Sequence, residues 1–563
     1  MKTGTFTMKR GLFFGVMIIC LGMIVPGCSR NESAPKESKG TGSVTFSIQW
    51  PQRAMTQQSN IPPLVAAIDD NECAKLTVEA TMNDAQDNLL ASGGPWPCSD
   101  RKGTIDNIPE GSDRKIVVTA KDSVGFVVYR GESAGIRIIA GQNTKIGVIA
   151  VQPVTFQLLV GGSGDDEAIS IQPMSDGGYM VVGKSDSTNI PEQINHGGYD
   201  GYILKLNATG DVLWQRLIGG SGDDFPETCQ PTNDGGYIIS GNTTSADIPG
   251  YPYHGGKNDG FIYKLTANGD VRWLRLVGGS GDDQLISSQP TSDGGYMVVG
   301  GSSSTDIFGQ SNHGNYDGYI LKLNANGVVL WERLVGGSNV DFAISIQPTS
   351  DGGYMVVGYS GSTDIPEQTN HGSNDVYILK LNANGVVLWE RLVGGSGFDF
   401  PYSIRQTDDG GYMVVGYSNS TDIPGQTYHG GEWDVYILKL NADGDVLWQR
   451  LVGGSGFDQA ASCQPTSDGG YIVLGWTEST DIPGQTNHGS FDGYIIKLNA
   501  DGDVLWQRLV GGLGFDIACW STPMNGGGWM VVGWSSSLDI PGQTYHGGSG
   551  DVYILRLNAN GEP

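Results

Sequence analysis

The stretch GGSNVDFAISIQPTSDGGYMVVGYSGSTDIPEQTNHGSNDVYILKLNANGVVLWERLV, residues 336–393, is one copy of a repeat. Its opening GG recurs with a period of 58 or 59 residues, which makes seven copies, starting at Gly161, Gly219, Gly278, Gly336, Gly394, Gly453 and Gly511. Each copy holds four strand-like pieces, here AISIQPT, GYMVVGYS, DVYILKLN and VLWERLV. A period of this length indicates that each copy is one supersecondary unit stacked on its neighbours.

The strand pieces predict sheets that are covered on both faces. Runs such as YMVVG are apolar at every position, which is typical of strands packed between neighbouring sheets. The turn between the first two pieces is SDGG, and the turn between the last two is NANG or NADG, both of which favour hairpins. Each copy is therefore predicted to form one four-stranded antiparallel sheet.

The two ends of the repeat region predict a closed ring. The seventh copy stops at LRLNANGEP without a fourth strand, while VTFQLLVGG, from Val154, is a fourth strand without a copy. In that orphan strand Phe156 stands where the other copies have tryptophan, at Trp214, Trp273, Trp331, Trp389, Trp448 and Trp506. The sequence therefore predicts an all-β fold in which residues 154–563 form a seven-bladed β-propeller and the N-terminal strand closes the last blade.

Three motifs carry a resemblance to a known family. GGSGDD, DGGYMVVG, and DGYILKLN with NANGVVLW resemble the bacterial seven-bladed β-propeller repeats called SBBP repeats, and looser relatives in secreted and surface lipoproteins. The resemblance covers residues 154–563 and implies the same propeller fold. It implies little about function, because propellers host many unrelated activities.

The N-terminus predicts export. Lys9 and Arg10 precede the apolar run GLFFGVMIICLGMIV, which is too short for a spanning helix and ends at VPGC. VPGC resembles the bacterial lipobox, which implies cleavage before Cys28 and its acylation with fatty acids such as palmitate. Residues 1–27 are then a lipoprotein signal peptide and residues 28–41 a flexible tether, with an ordinary cleaved signal as the alternative. Ser29 resembles the outer-membrane sorting pattern, so we expect an outer-membrane lipoprotein, periplasmic or on the cell surface.

Residues 42–153 predict a separate small domain. Short alternating strands such as SVTFSIQW and RKIVVTAKD are separated by turn clusters, which favours a β-sandwich of immunoglobulin-like or transthyretin-like shape. Cys73 and Cys98 are the candidate disulfide pair, because export permits disulfides. Two buried thiols are the alternative.

All seven histidines lie in copies of one loop, exemplified by STDIPGQTYHGG at residues 420–431. An aspartate follows each histidine by four or five residues, so a neutral imidazole held against it would act as a structural latch, much as WD-repeat propellers use a related histidine–aspartate network. The predicted latch residues are His196, His254, His313, His371, His429, His488 and His546 with Asp200, Asp259, Asp317, Asp375, Asp434, Asp492 and Asp551.

A metal site is the lesser interpretation of these loops. Neighbouring loops should lie about 10 Å apart, from the spacing of packed sheets, so the histidines cannot share one zinc ion. The GG loops of the same face add a second ring, Asp166, Asp224, Asp283, Asp341, Asp399, Asp458 and Asp516. Weak calcium binding at Asp166, Asp224 and Asp283 is the metal alternative, and otherwise we expect no cofactor.

Charge and the differences between copies bear on function. A net charge of -27 disfavours nucleic acid and anionic lipid as partners. Along the innermost strand Glu227, Arg405 and Trp520 depart from the repeat, but they lie in three different copies and form no recognisable catalytic set. The cysteines there are interpreted as small buried residues, Cys229, Cys463 and Cys519.

We therefore expect a lipid-anchored, non-enzymatic scaffold that binds an envelope or extracellular protein through its acidic propeller. The alternative is a glycan-binding or carbohydrate-active envelope protein, suggested by loop aromatics that would form a binding face, Tyr253, Tyr428, Trp433 and Tyr545. Packing within the loops is the interpretation that we favour for these side chains.

Overall fold

The computed structural model describes residues 41–49, 73–74, 76–85, 88–121, 127–150, 152–153, 156–174, 176–207, 210–248, 250–524, 528–558 and 560–562. The predicted signal peptide, Cys28 and all but the last residue of the tether lie outside these ranges. Within them the chain is built of β-strands, with a 3-10 turn at Cys98–Asp100. None of the described segments is a helix long and apolar enough to cross a membrane.

The N-terminal strands form two sheets. One has the order β4-β1-β7, in which β1 is antiparallel to β4 and parallel to β7, and the other has the order β3-β2-β5-β6-β8. The strands are β1 (Thr41–Gln49), β2 (Thr77–Asn83), β3 (Leu89–Pro97), β4 (Lys102–Pro109), β5 (Gly111–Lys121), β6 (Val127–Ile138), β7 (Asn143–Ala150) and β8 (Gln152–Pro153).

These two sheets share one apolar core. Phe46 of β1 and Ile105 of β4 pack in the same buried cluster as Val78 of β2. Cys73 and Cys98 are both buried in this cluster and are joined by a disulfide, which confirms the predicted pair. Closing a loop of 25 residues by a disulfide typically stabilises a domain by about 3 kcal/mol.

The remaining described strands form seven four-stranded antiparallel sheets. The first three sheets consist of β10 (Asp166–Pro173), β11 (Tyr179–Ser185), β12 (Asp200–Leu206) and β13 (Val212–Ile218); β14 (Asp224–Pro231), β15 (Tyr237–Thr243), β16 (Asp259–Leu265) and β17 (Val271–Val277); and β18 (Asp283–Pro290), β19 (Tyr296–Ser302), β20 (Asp317–Leu323) and β21 (Val329–Val335).

The next three sheets follow the same pattern. They consist of β22 (Asp341–Pro348), β23 (Tyr354–Ser360), β24 (Asp375–Leu381) and β25 (Val387–Val393); β26 (Asp399–Gln406), β27 (Tyr412–Ser418), β28 (Asp434–Leu440) and β29 (Val446–Val452); and β30 (Asp458–Pro465), β31 (Tyr471–Thr477), β32 (Asp492–Leu498) and β33 (Val504–Val510). The last sheet combines both ends of the region, in β34 (Asp516–Pro523), β35 (Trp529–Ser535), β36 (Asp551–Leu557) and β9 (Phe156–Val160).

The prediction of an all-β chain built of repeated four-stranded antiparallel sheets is confirmed. The middle strands have no exposed face, since every residue of β24 is buried and β23 has one half-buried residue. Met297 and Val299 of β19 pack in one cluster with Val356 of β23, so consecutive sheets share their apolar faces. Burial on both faces explains why these strands are uniformly apolar.

The sheets follow one another around a ring. The first strand of each sheet contacts the first strand of the next, and β34 of the last sheet contacts β10 of the first. The closing strand β9 pairs antiparallel with β36, with Ile554 opposite Leu158. The Tyr553 hydroxyl also donates to Gln157 Oε1 at 3.0 Å. The propeller-like arrangement thus places the first strands at the centre and the fourth strands at the rim.

The two sides of the ring differ in their connections. SDGG and NANG turns emerge on one side, which we call the turn face, and GG loops and histidine loops emerge on the other, which we call the loop face. On the turn face a buried lysine holds the SDGG-type turn in several copies, by donating to the threonine and the aspartate of that turn. Lys439 Nζ donates to Thr407 Oγ1 at 3.0 Å and Asp409 Oδ1 at 2.9 Å, for example. Although burial acts in the opposite direction, these contacts lower the pKa of Asp409 to about 2.

The tryptophan of each complete fourth strand contacts the next sheet, and the neighbouring arginine also binds there at Arg216, Arg275, Arg391 and Arg450. Gly385 has φ +74°, and a Cβ there would lie 2.6 Å from the Trp331 ring, so the NANG glycine is required by both its conformation and its contact. Arg391 lies over the Trp389 ring at 5.1 Å and pairs with Asp445 of the next sheet at 2.9 Å. The closing strand carries Phe156 and Leu158 at these positions.

Candidate functional site

Each histidine loop is held to an aspartate at the start of the third strand. In all seven copies the imidazole Nδ1 lies 2.6 to 3.0 Å from the aspartate Oδ2. The histidine backbone N–H donates to the same oxygen at 2.6 to 2.9 Å. The pairs are His196–Asp200, His254–Asp259, His313–Asp317, His371–Asp375, His429–Asp434, His488–Asp492 and His546–Asp551.

The loop also covers the rim of its own sheet. Ile423 is buried, and Gln426 Oε1 accepts the Leu451 N–H of the fourth strand at 3.3 Å. The carboxylate of Asp434 is fully buried, whereas the His429 side chain is 38% exposed. In each copy the imidazole Nδ1 donates to the aspartate, and this donation leaves Nε2 as an acceptor. That this contact stabilises the loop stays a prediction.

The aspartates of the GG loops are surrounded by protein donors. Asp399 Oδ2 accepts the Gly395 N–H at 2.8 Å and the Ser420 hydroxyl at 2.9 Å. The same two contacts recur at Asp166, Asp224, Asp283, Asp341, Asp458 and Asp516. Among the described residues there is no group of three or more His, Cys, Asp or Glu that could hold a metal ion. These donors occupy Oδ2, whereas Oδ1 of Asp166, Asp283, Asp341 and Asp516 is buried without a hydrogen-bond partner, so weak calcium binding stays a prediction.

Aspartates of the two rings meet between consecutive sheets. A Cβ on Gly219 would lie 2.3 Å from Asp224 Oδ2 and 2.7 Å from Asp200 Oδ1, so the two carboxylates face each other across the glycine. The histidine-bound aspartate, which contacts the histidine of its own copy, thus also faces the GG-loop aspartate of the following copy, because the chain passes between sheets at that point.

This pairing raises the pKa of buried carboxyls. Oδ1 of the histidine-bound aspartate is buried and has no hydrogen-bond partner in any of the seven described copies. Burial raises the pKa of Asp224, and the charge of Asp200 raises it further. Burial likewise raises the pKa of Asp458 to about 6, with a contribution from Asp434. A buried carboxylate that faces another carboxylate favours the protonated form.

The loop tyrosines named as binding residues are engaged within their loops. The Tyr428 hydroxyl donates to the Gly431 carbonyl at 2.9 Å, and Tyr253 and Tyr545 make the same contact with Gly256 and Gly548. Tyr428 and Tyr545 also pack against apolar clusters of their sheets. These tyrosines are half-buried rather than exposed, since the hydroxyl reaches a carbonyl three residues ahead.

Trp433 belongs to a larger group that we call the aromatic belt, defined as Tyr359, Phe398, Phe400, Tyr402, Tyr417 and Trp433. The ring centroids of Phe400 and Tyr417 are 5.1 Å apart, and those of Tyr417 and Trp433 are 4.8 Å apart. Phe398 and Tyr402 are the most accessible members, at 39% and 41% exposure. The belt lies on the loop face beside the central strand β26. The sequence signal for the aromatic belt is that aromatic residues flank the GG-loop aspartate in only some of the copies.

A β-bulge in every first strand builds the inner wall of the ring. Pairing between the first and second strands skips one residue in each sheet. The skipped residues, all at least partly exposed, are Ile169, Glu227, Ile286, Ile344, Tyr402, Ala461 and Cys519. We call the space that the seven first strands enclose the central channel. Bulges re-aim side chains and recur beside binding sites.

The ring also joins residues that are remote in sequence. The Arg405 guanidinium lies 4.7 Å from the centre of the Trp520 ring, although one whole copy of the repeat lies between them in the chain. Their separation in the chain therefore did not exclude contact. Cys229 and Cys463 are buried as expected, whereas Cys519 is partly exposed at its bulge.

Comparison with known proteins gives a partial relative. No family model matches the chain. The regulatory protein FlaEY of Caulobacter vibrioides is 25% identical over 265 residues, which are 43% of this chain and 28% of FlaEY. The chain thus corresponds to less than a third of that relative.

Solved structures show distant similarity. BamB from Moraxella catarrhalis has a TM-score of 0.34 and 14% identity, covering 72% of this chain and 100% of BamB. Sqt1 from Chaetomium thermophilum has a TM-score of 0.37 and 13% identity, covering 68% of this chain and 83% of Sqt1. Scores of this size do not by themselves assign a function to this chain.

Proposed function

We propose that the chain is an envelope lipoprotein, anchored through Cys28, whose acidic seven-bladed propeller of SBBP type is a non-enzymatic platform for another protein. In this proposal residues 1–27 are the signal peptide, residues 28–41 the tether, residues 42–153 a β-sandwich and residues 154–563 the propeller. The platform would act at the outer membrane, in the periplasm or on the cell surface.

The observation that carries the binding function is the aromatic belt. Phe398 and Tyr402 are exposed beside a wall of stacked rings, and rigid strands fix the backbone beneath them. Aromatic side chains with partial exposure are enriched at the centres of protein interfaces. Because neighbouring sheets hold the belt in place, a partner would meet a preformed surface.

The experiment places a photo-crosslinking amino acid on each face of the full-length protein in its native cells. Phe398 on the loop face is the test position, and Val386, which is 52% exposed on the turn face, is the matched control. We expect one crosslinked protein at Phe398 and none at Val386. Equal crosslinking at both positions, or none at Phe398, would contradict a platform on the loop face.

Glycan binding is the second candidate, favoured by the exposed ring of Tyr402 on the same inner wall as the carboxyl of Glu227. Aromatic faces with nearby carboxylates suit neutral sugars. Binding to a glycan array that is lost in Tyr402→Ala and retained in Tyr428→Ala would support this alternative against the protein partner.

A further inference from the structure

One bulged residue of the central channel carries a charge. Of the seven bulge positions, three hold isoleucine and one alanine, whereas Glu227 places a carboxylate in this ring. The β-bulge leaves the residue without a partner on β15, between the paired residues Pro226 and Thr228. A carboxylate at this position weakens the inner wall unless something stabilises it.

The described surroundings of Glu227 do not neutralise it. Asn242 Nδ2 donates to Glu227 Oε1 at 3.4 Å, and its orientation is set because Asn242 Oδ1 accepts the Leu285 N–H at 2.6 Å. Lys184, the nearby cation, is paired with Glu167 at 3.2 Å. Burial raises the pKa of Glu227 to about 7, with Lys184 lowering it and Glu167 raising it. When Glu227 ionises, above about pH 7, its negative charge therefore exceeds what Lys184 balances in this group.

An aromatic wall lies within electrostatic reach of that charge. Tyr402, Cys519 and Glu227 are all bulged residues of first strands, which places them on the inner wall of the ring, and burial and then the charges of Cys519 and Glu227 raise the pKa of the Tyr402 phenol. The Tyr402 ring lies 5.6 Å from the Tyr417 ring, which connects it to the aromatic belt. A carboxylate beside stacked rings is the combination that binds an extended organic cation.

We propose that the loop-face mouth of the central channel receives one basic side chain, a lysine or arginine of the partner protein, with its cation on Glu227 and its stem against Tyr402 and Tyr417. The inference rests on the proposed platform function and names the chemistry that the platform recognises. Charge complementarity supports it, because the chain carries a net charge of -27 and would attract a basic segment.

The test uses the full-length protein and short synthetic peptides in titration calorimetry at about pH 8, above the pKa of Glu227. The probe is acetyl-Gly-Lys-Gly-amide, with an arginine version beside it and a norleucine version as the neutral match. We expect the lysine and arginine peptides to bind and the norleucine peptide not to bind. Tyr402→Ala should weaken binding of the lysine peptide several-fold, since it removes the ring that covers the stem.

Glu227→Gln is the decisive variant because it keeps the shape and removes the charge. It should weaken the lysine peptide by about tenfold or more, as expected for a lost charged contact. Glu432→Gln, which removes an exposed loop carboxylate, should change nothing. Affinity of the unsubstituted protein should rise as the pH passes through about 7, the pKa of Glu227, and the Glu227→Gln profile should be flat. Lys184, Glu167, Cys519 and Tyr402 stay unchanged in both proteins.

Several outcomes would overturn the proposal. Equal binding of the norleucine peptide, or a Glu227→Gln variant that binds the lysine peptide unchanged, would show that the carboxylate does not recognise a cation. A partner crosslinked at Phe398 without any lysine-peptide binding would reject this site and leave the platform function standing. Peptide binding with the expected Glu227 dependence, but no crosslinked partner, would support the site and reject the platform function.

Discussion

The histidine loops can be tested through the pair His429 and Asp434. Asp434 Oδ2 accepts two hydrogen bonds from the same residue, one from the His429 backbone at 2.8 Å and one from its imidazole at 2.9 Å. His429→Ala removes only the second, while Asp434→Ala removes the acceptor of both. The two substitutions, singly and together, form a double-mutant cycle on one loop.

The structure sets the expected magnitudes. A hydrogen bond to a buried carboxylate contributes about 1.5 to 3 kcal/mol, but the His429 side chain is 38% exposed. Water replaces part of its contact, so His429→Ala should cost about 1 kcal/mol. Asp434→Ala leaves the backbone N–H without its acceptor and should cost about 1 to 3 kcal/mol. The double variant should match Asp434→Ala, because each substitution removes the same imidazole contact.

Local hydrogen exchange is the suitable measurement, since a chain with two folded regions does not unfold in one step. Exchange of the amides at residues 425–431 should accelerate about fivefold in His429→Ala and about tenfold or more in Asp434→Ala. The corresponding change at His371, whose Nδ1 lies 2.6 Å from Asp375 Oδ2, should accelerate its own loop and leave the loop of His429 unaffected.

Two results would refute the latch. Strictly additive effects of His429→Ala and Asp434→Ala would show that the imidazole and the carboxylate do not act together. Faster exchange on adding a chelator, reversed by calcium, would show that the loops hold metal, because removal of a bound ion destabilises the state that binds it.

Three further outcomes are expected. Cys28→Ser should move the protein from the membrane to the soluble fraction and abolish acyl labelling, measured by fractionation and fatty-acid incorporation; an unlabelled, soluble unsubstituted protein would contradict the lipobox. Deleting residues 154–160 should expose Tyr553 and Leu555 of β36, both buried in the intact sheet, and cause aggregation seen by light scattering, whereas a monomer of unchanged stability would argue against ring closure. A carboxyl whose pKa is raised by folding stabilises the fold below its unfolded pKa, and this stabilisation is lost as pH rises through its folded pKa, which is about 6 for Asp458. A carboxyl whose pKa is lowered, such as Asp409 with a pKa of about 2, stabilises the fold above the ordinary pKa of 3.8, and this stabilisation is lost as pH falls. The melting temperature should therefore be highest at about pH 4 and fall on both sides, and a maximum at about pH 8 would contradict the buried carboxyl pairs.

Repetition made the fold readable from the sequence. Period, hairpin turns and uniformly apolar runs predict four-stranded sheets because each copy must bury both faces against its neighbours. The orphan strand ahead of Gly161 likewise marks the fourth strand of the last sheet, since only a ring gives it a partner. Spacing of four or five residues between histidine and aspartate predicts their contact, because both lie within one loop.

Contacts between copies could not be predicted in the same way. Asp200 meets Asp224 and Arg405 meets Trp520 because of how the sheets are arranged in space, which no distance along the chain encodes. For the loop tyrosines the ambiguity in the sequence is local. A hydroxyl that binds a carbonyl three residues ahead has the same sequence pattern as one that faces solvent.

Residues that differ between the copies are better candidates for partner binding than contacts that recur in every copy. A contact that recurs in seven copies, such as the histidine–aspartate pair, is the same in every sheet of the ring and cannot by itself select one partner. Selection requires residues at which the copies differ and which the fold nevertheless brings together. Glu227 and Tyr402 meet this requirement, because the β-bulge is the same in every first strand while the residue on it changes. The repeat thus builds one common position around the channel, and in the proposed function the exceptions at that position determine what the channel binds.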